Sequence, residues 1–315
     1  MRWRRFLLAA LVGLGMACTA MADESSWGLV RISVACLRGE PRHSAELVSQ
    51  AIMGTPLRLI EKDGQWWKVE SPDGYISYII DNSIVERSDE AMAAWRSAPR
   101  LVVTTRGEVK AYDTDGVPVT DLVNASILEG EFNGTNPVAV TLPDGRSARI
   151  DTTCVAPADN WSRRVFDPVR LIAIGESMMG TPYLWGGMSC KALDCSGYVR
   201  VCYMDNGVIL RRDASQQAAT GVRIEPDQWR SCRRGDLLFF GNAKTGRVTH
   251  VAIYDHDGEY LHSSGRVRRN SLDPGSPLYI PSSFLHAVRI HGYEGTDGIV
   301  RLCDHPWYFN TDTQQ

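Results

Sequence analysis

The sequence predicts an α+β protein in which two small β units precede a domain that has its helices first and its antiparallel strands after. Three observations carry this prediction. Short runs rich in β-branched and aromatic residues, cut by turn dipeptides, fill residues 27–87 and 100–157. Apolar residues at helical spacing, apart from one short connector, gather after Pro168. Strand-like runs then follow those helices, an order that separates α+β from alternating α/β domains.

In the first unit, Leu57–Ile60, Trp66–Val69 and Tyr75–Ile79 read as strands, with Asp63-Gly64 and Pro72-Asp73-Gly74 as turns. Strands this short at this spacing suggest a small barrel. Ala91–Ser97 reads as a helical connector ended by Pro99. The second unit repeats the style with Leu101–Thr104, Pro137–Val140 and Arg149–Ile150, turned at Asp115-Gly116 and Asp144-Gly145. No convincing sequence repeat links the two units. Val169–Met179 then reads as a helix, Gly180–Gly187 as a loop, and residues from Asp194 to about Asn206 as a second helix with Tyr198, Val201 and Cys202 on one face. Asp236–Phe240, His250–Tyr254 and Glu259–His262 are the strands that follow. The expected divisions are a leader at 1–22, β units at 23–90 and 100–160 joined by 91–99, and the last domain at 161–315.

Composition removes whole classes of function. At 315 residues, 43% hydrophobic and 23% charged, the chain is neither disordered, fibrous nor a polytopic membrane protein. Arg2, Arg4 and Arg5 precede the short apolar run Phe6–Met16, and Ala20-Met21-Ala22 is a small-x-small site, the layout of a secretory signal peptide cut after Ala22. That run is too short to span a bilayer comfortably. A lipoprotein anchored at Cys18 ranks second, because Gly15 stands where a large aliphatic residue is wanted. Cleavage would take the 34 basic residues down by three to 31 against 37 acidic, moving the net charge from −3 to −6. The mature chain is therefore expected to be a secreted or periplasmic monomer with no membrane span and no electrostatic reason to bind nucleic acid.

Eight cysteines become seven after such a cut, an odd number that leaves at least one thiol free or paired between molecules. No CxxC occurs and no cysteine pairs bracket histidine pairs, so neither a zinc site nor another cofactor is expected. A redox or metal cluster of Cys190, Cys195 and Cys202 is the remaining alternative of that kind. Cys195 follows Asp194 at the start of a helix, where unpaired N–H groups and the helix dipole favour a thiolate. His250 heads one strand and His262 ends the next, and a turn centred on His256 would set them opposite each other. Nucleophile, imidazole base and orienting imidazole would then make a variant catalytic triad. Spacing alone does not separate this from a core cysteine and two satisfied core histidines.

A resemblance does separate them. Pro182-Tyr183-Leu184-Trp185-Gly186-Gly187, Asp194-Cys195-Ser196-Gly197, Arg234–Phe240, Thr249–Tyr254 and Leu261–Gly265 stand in the order found in NlpC/P60 cysteine peptidases, which this chain resembles over residues 168–300. The resemblance implies a papain-like domain with Cys195 as nucleophile, His250 as base, His262 as orienting residue, and Tyr183 helping the Cys195 N–H hold the oxyanion. Two preceding β units resemble the bacterial SH3-like pair of γ-D-glutamyl-L-diamino acid endopeptidases of the dipeptidyl-peptidase VI type. That implies murein stem peptides with a free L-alanine amine as substrates, cut through a thioester, as in murein peptide recycling. It also implies Asp213, Glu40 and Tyr75 as the pocket for the amine, and Trp185, Asp194, Ser196 and Ser215 as further substrate contacts. Two other readings stand beside it: an endopeptidase of intact peptidoglycan with the SH3-like units as wall anchors, and a wall-binding protein without activity.

Overall fold

The computed structural model describes residues 26–310. The leader, its cut after Ala22 and the Cys18 alternative lie outside the described residues. Among the described residues no helix is long and apolar enough to cross a membrane.

Residues 27–87 form a seven-stranded antiparallel sheet in the order Leu47–Ile52, Val34–Arg38, Ile76–Ile80, Trp66–Glu70, Pro56–Asp63, Trp27–Val30, Ile84–Arg87. Its core is Val30, Ala35, Leu37, Leu57, Val69 and Ile79. Helix α1 (Asp89–Ser97) follows, with Ser88 accepting a hydrogen bond from Ala91 N–H at 3.3 Å as N-cap. The second sheet runs Pro118–Leu122, Val109–Tyr112, Ser147–Ile150, Val138–Thr141, Ile127–Glu129, Arg100–Val103, Val155–Pro157. In chain order both sheets read third, second, sixth, fifth, fourth, first, seventh. The two units therefore share one topology although their sequences show no repeat.

Short helix α2 (Ala158–Ser162) leads into the last domain. There α3 (Pro168–Ser177) and α4 (Cys195–Met204) cover one face of a six-stranded antiparallel sheet. The strand order is Val222–Ile224, Phe284–Arg289, Leu237–Asn242, Arg247–Tyr254, Glu259–Ser264, Arg266–Ser271. Alternation along the central strands sorts the two faces. Leu237, Phe239, Val251, Ile253 and Leu261 meet Leu171, Ile174, Tyr198 and Cys202 of the helices, while Leu238, Phe240, Ala252, Tyr254 and Tyr260 form a second core on the other face.

Three regions of the chain close over one apolar cluster. Trp27, Leu29, Met92 and Trp95, then Val102 and Ile127, then Trp161, Ile209, Leu302, Tyr308 and Phe309 pack together. Polar bridges across the same junction include Arg200 to Asp73 at 3.2 Å, Arg100 to Tyr308 O at 2.7 Å, and Met188 N–H to Gln50 at 2.9 Å. Lys191 pairs with Asp121 of the second unit.

Candidate active site

Asp194 is the N-cap of α4 and sets the position of Cys195, the first residue of that helix. Its Oδ1 accepts from Gly197 N–H at 2.6 Å and its Oδ2 from Gly186 N–H at 2.9 Å, so one carboxylate ties the helix start to the preceding loop. Glycine is required where those two segments touch: a Cβ at Gly197 would lie 2.0 Å from Gly187 O. Arg212, almost fully buried, closes the arrangement by pairing with Asp194 Oδ2 at 2.5 Å and donating to Ser196 Oγ at 2.7 Å and Ser49 Oγ at 3.0 Å. Sequence reasoning missed Arg212. Its signal was a cation directly before Asp213, matching a buried carboxylate at Asp194. The side chains of Asp194 and Ser196 thus have partners inside the protein, which leaves backbone groups as their means of reaching a substrate.

Cys195 is buried at the first turn of α4, its sulfur against the N–H groups of Ser196 and Val251. The helix start was expected to favour thiolate. Burial and the neighbouring Asp194 charge outweigh those N–H groups and push the thiol up to about 11. The resting group is therefore a thiol at neutral pH.

His250 Nε2 lies 2.7 Å from His262 Nδ1, and His262 Nε2 lies 2.9 Å from Asn270 Oδ1. Asn270 in turn donates from Nδ2 to Leu278 O at 3.0 Å, which fixes its oxygen toward His262. An oxygen can only accept, so His262 carries its proton on Nε2 and presents a bare Nδ1. His250 must then donate from Nε2, and its Nδ1 is left bare, able to accept a proton. Burial, with Arg268 nearby, drives His250 to about 3 and His262 to about 4, so both rings are neutral at physiological pH. Asn270 was absent from the sequence reading, because the strand that carries it was not recognised.

The hairpin register differs from expectation. Ile253 pairs with Leu261 and Tyr254 with Tyr260, which centres the turn on Asp257 rather than His256. Asp257 and Gly258 both adopt positive φ, 47° and 83°, the turn geometry that Asp-Gly favours. The histidines are therefore diagonal neighbours on the sheet, and their rings still meet.

The remaining candidates separate into groups. Tyr183 is half-buried, near enough to feel the Cys195 and Asp194 charges, and burial pushes its hydroxyl up to about 12. Trp185 is 57% exposed and donates from Nε1 to Glu46 of the first β unit at 2.7 Å. Asp213 caps the short helix α5 (Ala214–Gln217), and Ser215 is exposed on that helix. Tyr75 of the first β unit stands beside Asp213: each influences the other's proton affinity, and burial raises both. Glu40 lies on an exposed turn, paired with Arg42 at 3.0 Å, and takes no part in the Tyr75–Asp213 contact. Among the described residues no group of three or more His, Cys, Asp or Glu side chains is disposed to hold a metal ion.

Comparison with known proteins gives this geometry its context. The NlpC/P60 family matches residues 180–286, and the bacterial dipeptidyl-peptidase Sh3 domain matches residues 37–84. Dipeptidyl-peptidase 6 of Lysinibacillus sphaericus is 30% identical over 264 residues, covering 80% of this chain and 93% of that protein. A γ-D-glutamyl-L-lysine dipeptidyl-peptidase of Bacillus subtilis is 39% identical over 229 residues, covering 68% of this chain and 71% of that one. The crystal structure of an NlpC/P60 family protein from Bacillus cereus superposes with a TM-score of 0.72 at 23% identity, over 84% of this chain and 99% of the other. With an SH3-like β domain ahead of a papain-like core, this chain belongs to the NlpC/P60 family of cysteine peptidases.

Proposed function

We propose that the protein hydrolyses the γ-D-glutamyl–L-diamino acid amide of murein stem peptides whose N-terminal L-alanine amine is free. The observation that carries this reading is the meeting of Tyr75 from the first β unit with Asp213 beside the nucleophile's cap. A half-buried carboxylate with a phenol next to it offers an ammonium group the charge and acceptor oxygens it needs. Glu40, on an exposed turn of the same β unit as Tyr75, would join by exchanging Arg42 for the ammonium. The name carried by the Bacillus subtilis relative, a γ-D-glutamyl-L-lysine dipeptidyl-peptidase, supports the same bond.

Catalysis would begin with transfer of the Cys195 proton to His250 Nδ1 as the sulfur attacks the γ-carbonyl carbon. The Cys195 N–H and the Tyr183 hydroxyl would donate to the developing oxyanion. His250 would return the proton to the leaving amine, and water, deprotonated by the same ring, would hydrolyse the thioester. Trp185 and Ser215 would line the entry to the cleft. A pocket closed around the amine confines the enzyme to released peptides, outside the cytoplasm if the leader acts as its sequence suggests.

The test is hydrolysis of L-Ala-γ-D-Glu-L-Lys against its N-acetylated form. Loss of at least about thirtyfold in kcat/KM on acetylation is expected, since an ammonium paired in a desolvated site is worth about 2–5 kcal/mol. Equal cleavage of both sinks the free-amine reading and favours an endopeptidase of intact wall. Cys195→Ala should abolish turnover of either peptide.

A further inference from the structure

The guanidinium of Arg268 stands beside the histidine pair, and none of the chemistry above uses it. Arg268 is directly opposite His262 in the antiparallel pairing of Glu259–Ser264 with the edge strand Arg266–Ser271. Side chains so placed share a face, with Cβ atoms about 5 Å apart. Its charge is one of the influences that lower the proton affinity of both His250 and His262. The next residue shows how a structural arginine is satisfied here: Arg269 pairs with Glu176 at 2.5 Å, Asp255 at 2.7 Å and Glu259 at 2.9 Å. Arg268 enters no ion pair among the described residues. Its one acceptor is Ser264 Oγ at 3.3 Å, and its buried Nε has none. A half-buried cation without an anion, next to a ring that must take up a proton, works against catalysis unless the substrate supplies the anion.

We propose that Arg268 is a specificity-determining residue that binds the α-carboxylate of the amino acid on the leaving side of the scissile amide. This inference rests on the murein-peptide reading. A guanidinium holds a carboxylate through two parallel N–H···O bonds, and that pairing would also cancel the charge that opposes imidazolium formation on His250. The carboxylate should therefore raise kcat as well as lower KM. A second carboxylate is available on the acyl side, at the α-carbon of the γ-linked glutamate. Placement favours the leaving side: Tyr75 and Asp213 neighbour Arg212 and Asp194 at the nucleophile, whereas Arg268 lies on the outermost strand, next to His262.

The experiment compares wild type, Arg268→Gln and Arg268→Lys on three peptides: L-Ala-γ-D-Glu-L-Lys, its C-terminal carboxamide, and the analogue with D-isoglutamine in place of D-glutamate. Wild type should lose about tenfold or more in kcat/KM on the carboxamide, with kcat contributing, as expected for a charge-assisted hydrogen-bonded pair. Arg268→Gln should treat acid and carboxamide alike, and Arg268→Lys should keep part of the preference. Equal turnover of acid and carboxamide by wild type overturns the proposal, as does a preference that survives in Arg268→Gln. Selective loss of discrimination against D-isoglutamine overturns it in favour of the acyl side. Failure of wild type to cleave any of the three defeats the murein reading itself, and this inference with it.

Discussion

At the scale of single residues, the proton inventory of the site hangs on Asn270. Because its oxygen faces His262 Nε2 at 2.9 Å, the His262 tautomer and hence the free nitrogen of His250 are decided one strand away from the nucleophile. Asn270→Leu should lower kcat about tenfold or more with little change in KM, a fraction of what general-base catalysis contributes. Asn270→Asp should recover much of it, since a carboxylate oxygen fixes the same tautomer; equal loss in both variants would reduce Asn270 to packing. The acidity of Cys195 gives a second expectation. Its folded pKa lies above that of a free thiol, so the thiolate fraction is small at pH 7 and grows with pH up to about 11. Iodoacetamide inactivation of the substrate-free enzyme should accelerate roughly tenfold per pH unit from 7 to near 11. A plateau reached below pH 8 would show instead a preformed thiolate–imidazolium pair. Cys195, His250 and His262 were legible as candidates because each sits in a local motif. Asn270 and Arg212 were not, because what identifies them is a partner distant along the chain: Asn270 lies in the polar strand Arg266–Ser271, where Val267 is the lone apolar residue, and Arg212 meets Ser49 from another domain.

At the scale of elements, the start of α4 is held by one buried carboxylate with several obligations. Asp194 caps the helix, anchors the Gly186 loop and neutralises Arg212. Removing it leaves a buried guanidinium uncompensated, which costs about 3–5 kcal/mol. Asp194→Ala should therefore lower the urea midpoint strongly and abolish activity. Asp194→Asn, which keeps the cap but not the charge, should fall between; wild-type stability in Asp194→Ala would refute the coupling. The beginning of this helix was legible from the residue types alone, as were α1, α3 and the central strands. The hairpin register was less so. His256 looked like its centre until Asp257 and Gly258 took the two left-handed positions, a preference that the Asp-Gly dipeptide itself advertises.

At the scale of the whole molecule, two β units with one strand order share no visible repeat, and the reason is physical. A small barrel core asks only for apolar residues at alternate positions, a condition that Leu37, Val69 and Ile79 meet in one unit and Ala111, Val140 and Ile150 in the other. Topology survives where sequence identity does not. Dependence between the units was equally invisible, because the residues that join them are scattered from Trp27 to Phe309. Trp161, Ile209, Leu302, Tyr308 and Phe309 are buried against Trp27, Met92, Trp95, Val102 and Ile127, and full burial of such side chains contributes about 1.5–3 kcal/mol each. Residues 161–315 expressed alone would expose that surface. They would also part Arg212 from Ser49, Arg200 from Asp73 and Tyr308 O from Arg100. The full chain should therefore melt in a single transition, and the isolated catalytic segment should melt at least about 10 °C lower and bind ANS. Adding the two β units back as a separate chain should raise its melting temperature, since binding to the folded state alone stabilises it. An isolated segment that melts within a few degrees of the full chain and stays free of dye would mean that the β units are appended modules, with the Tyr75–Asp213 contact as their contribution to the site.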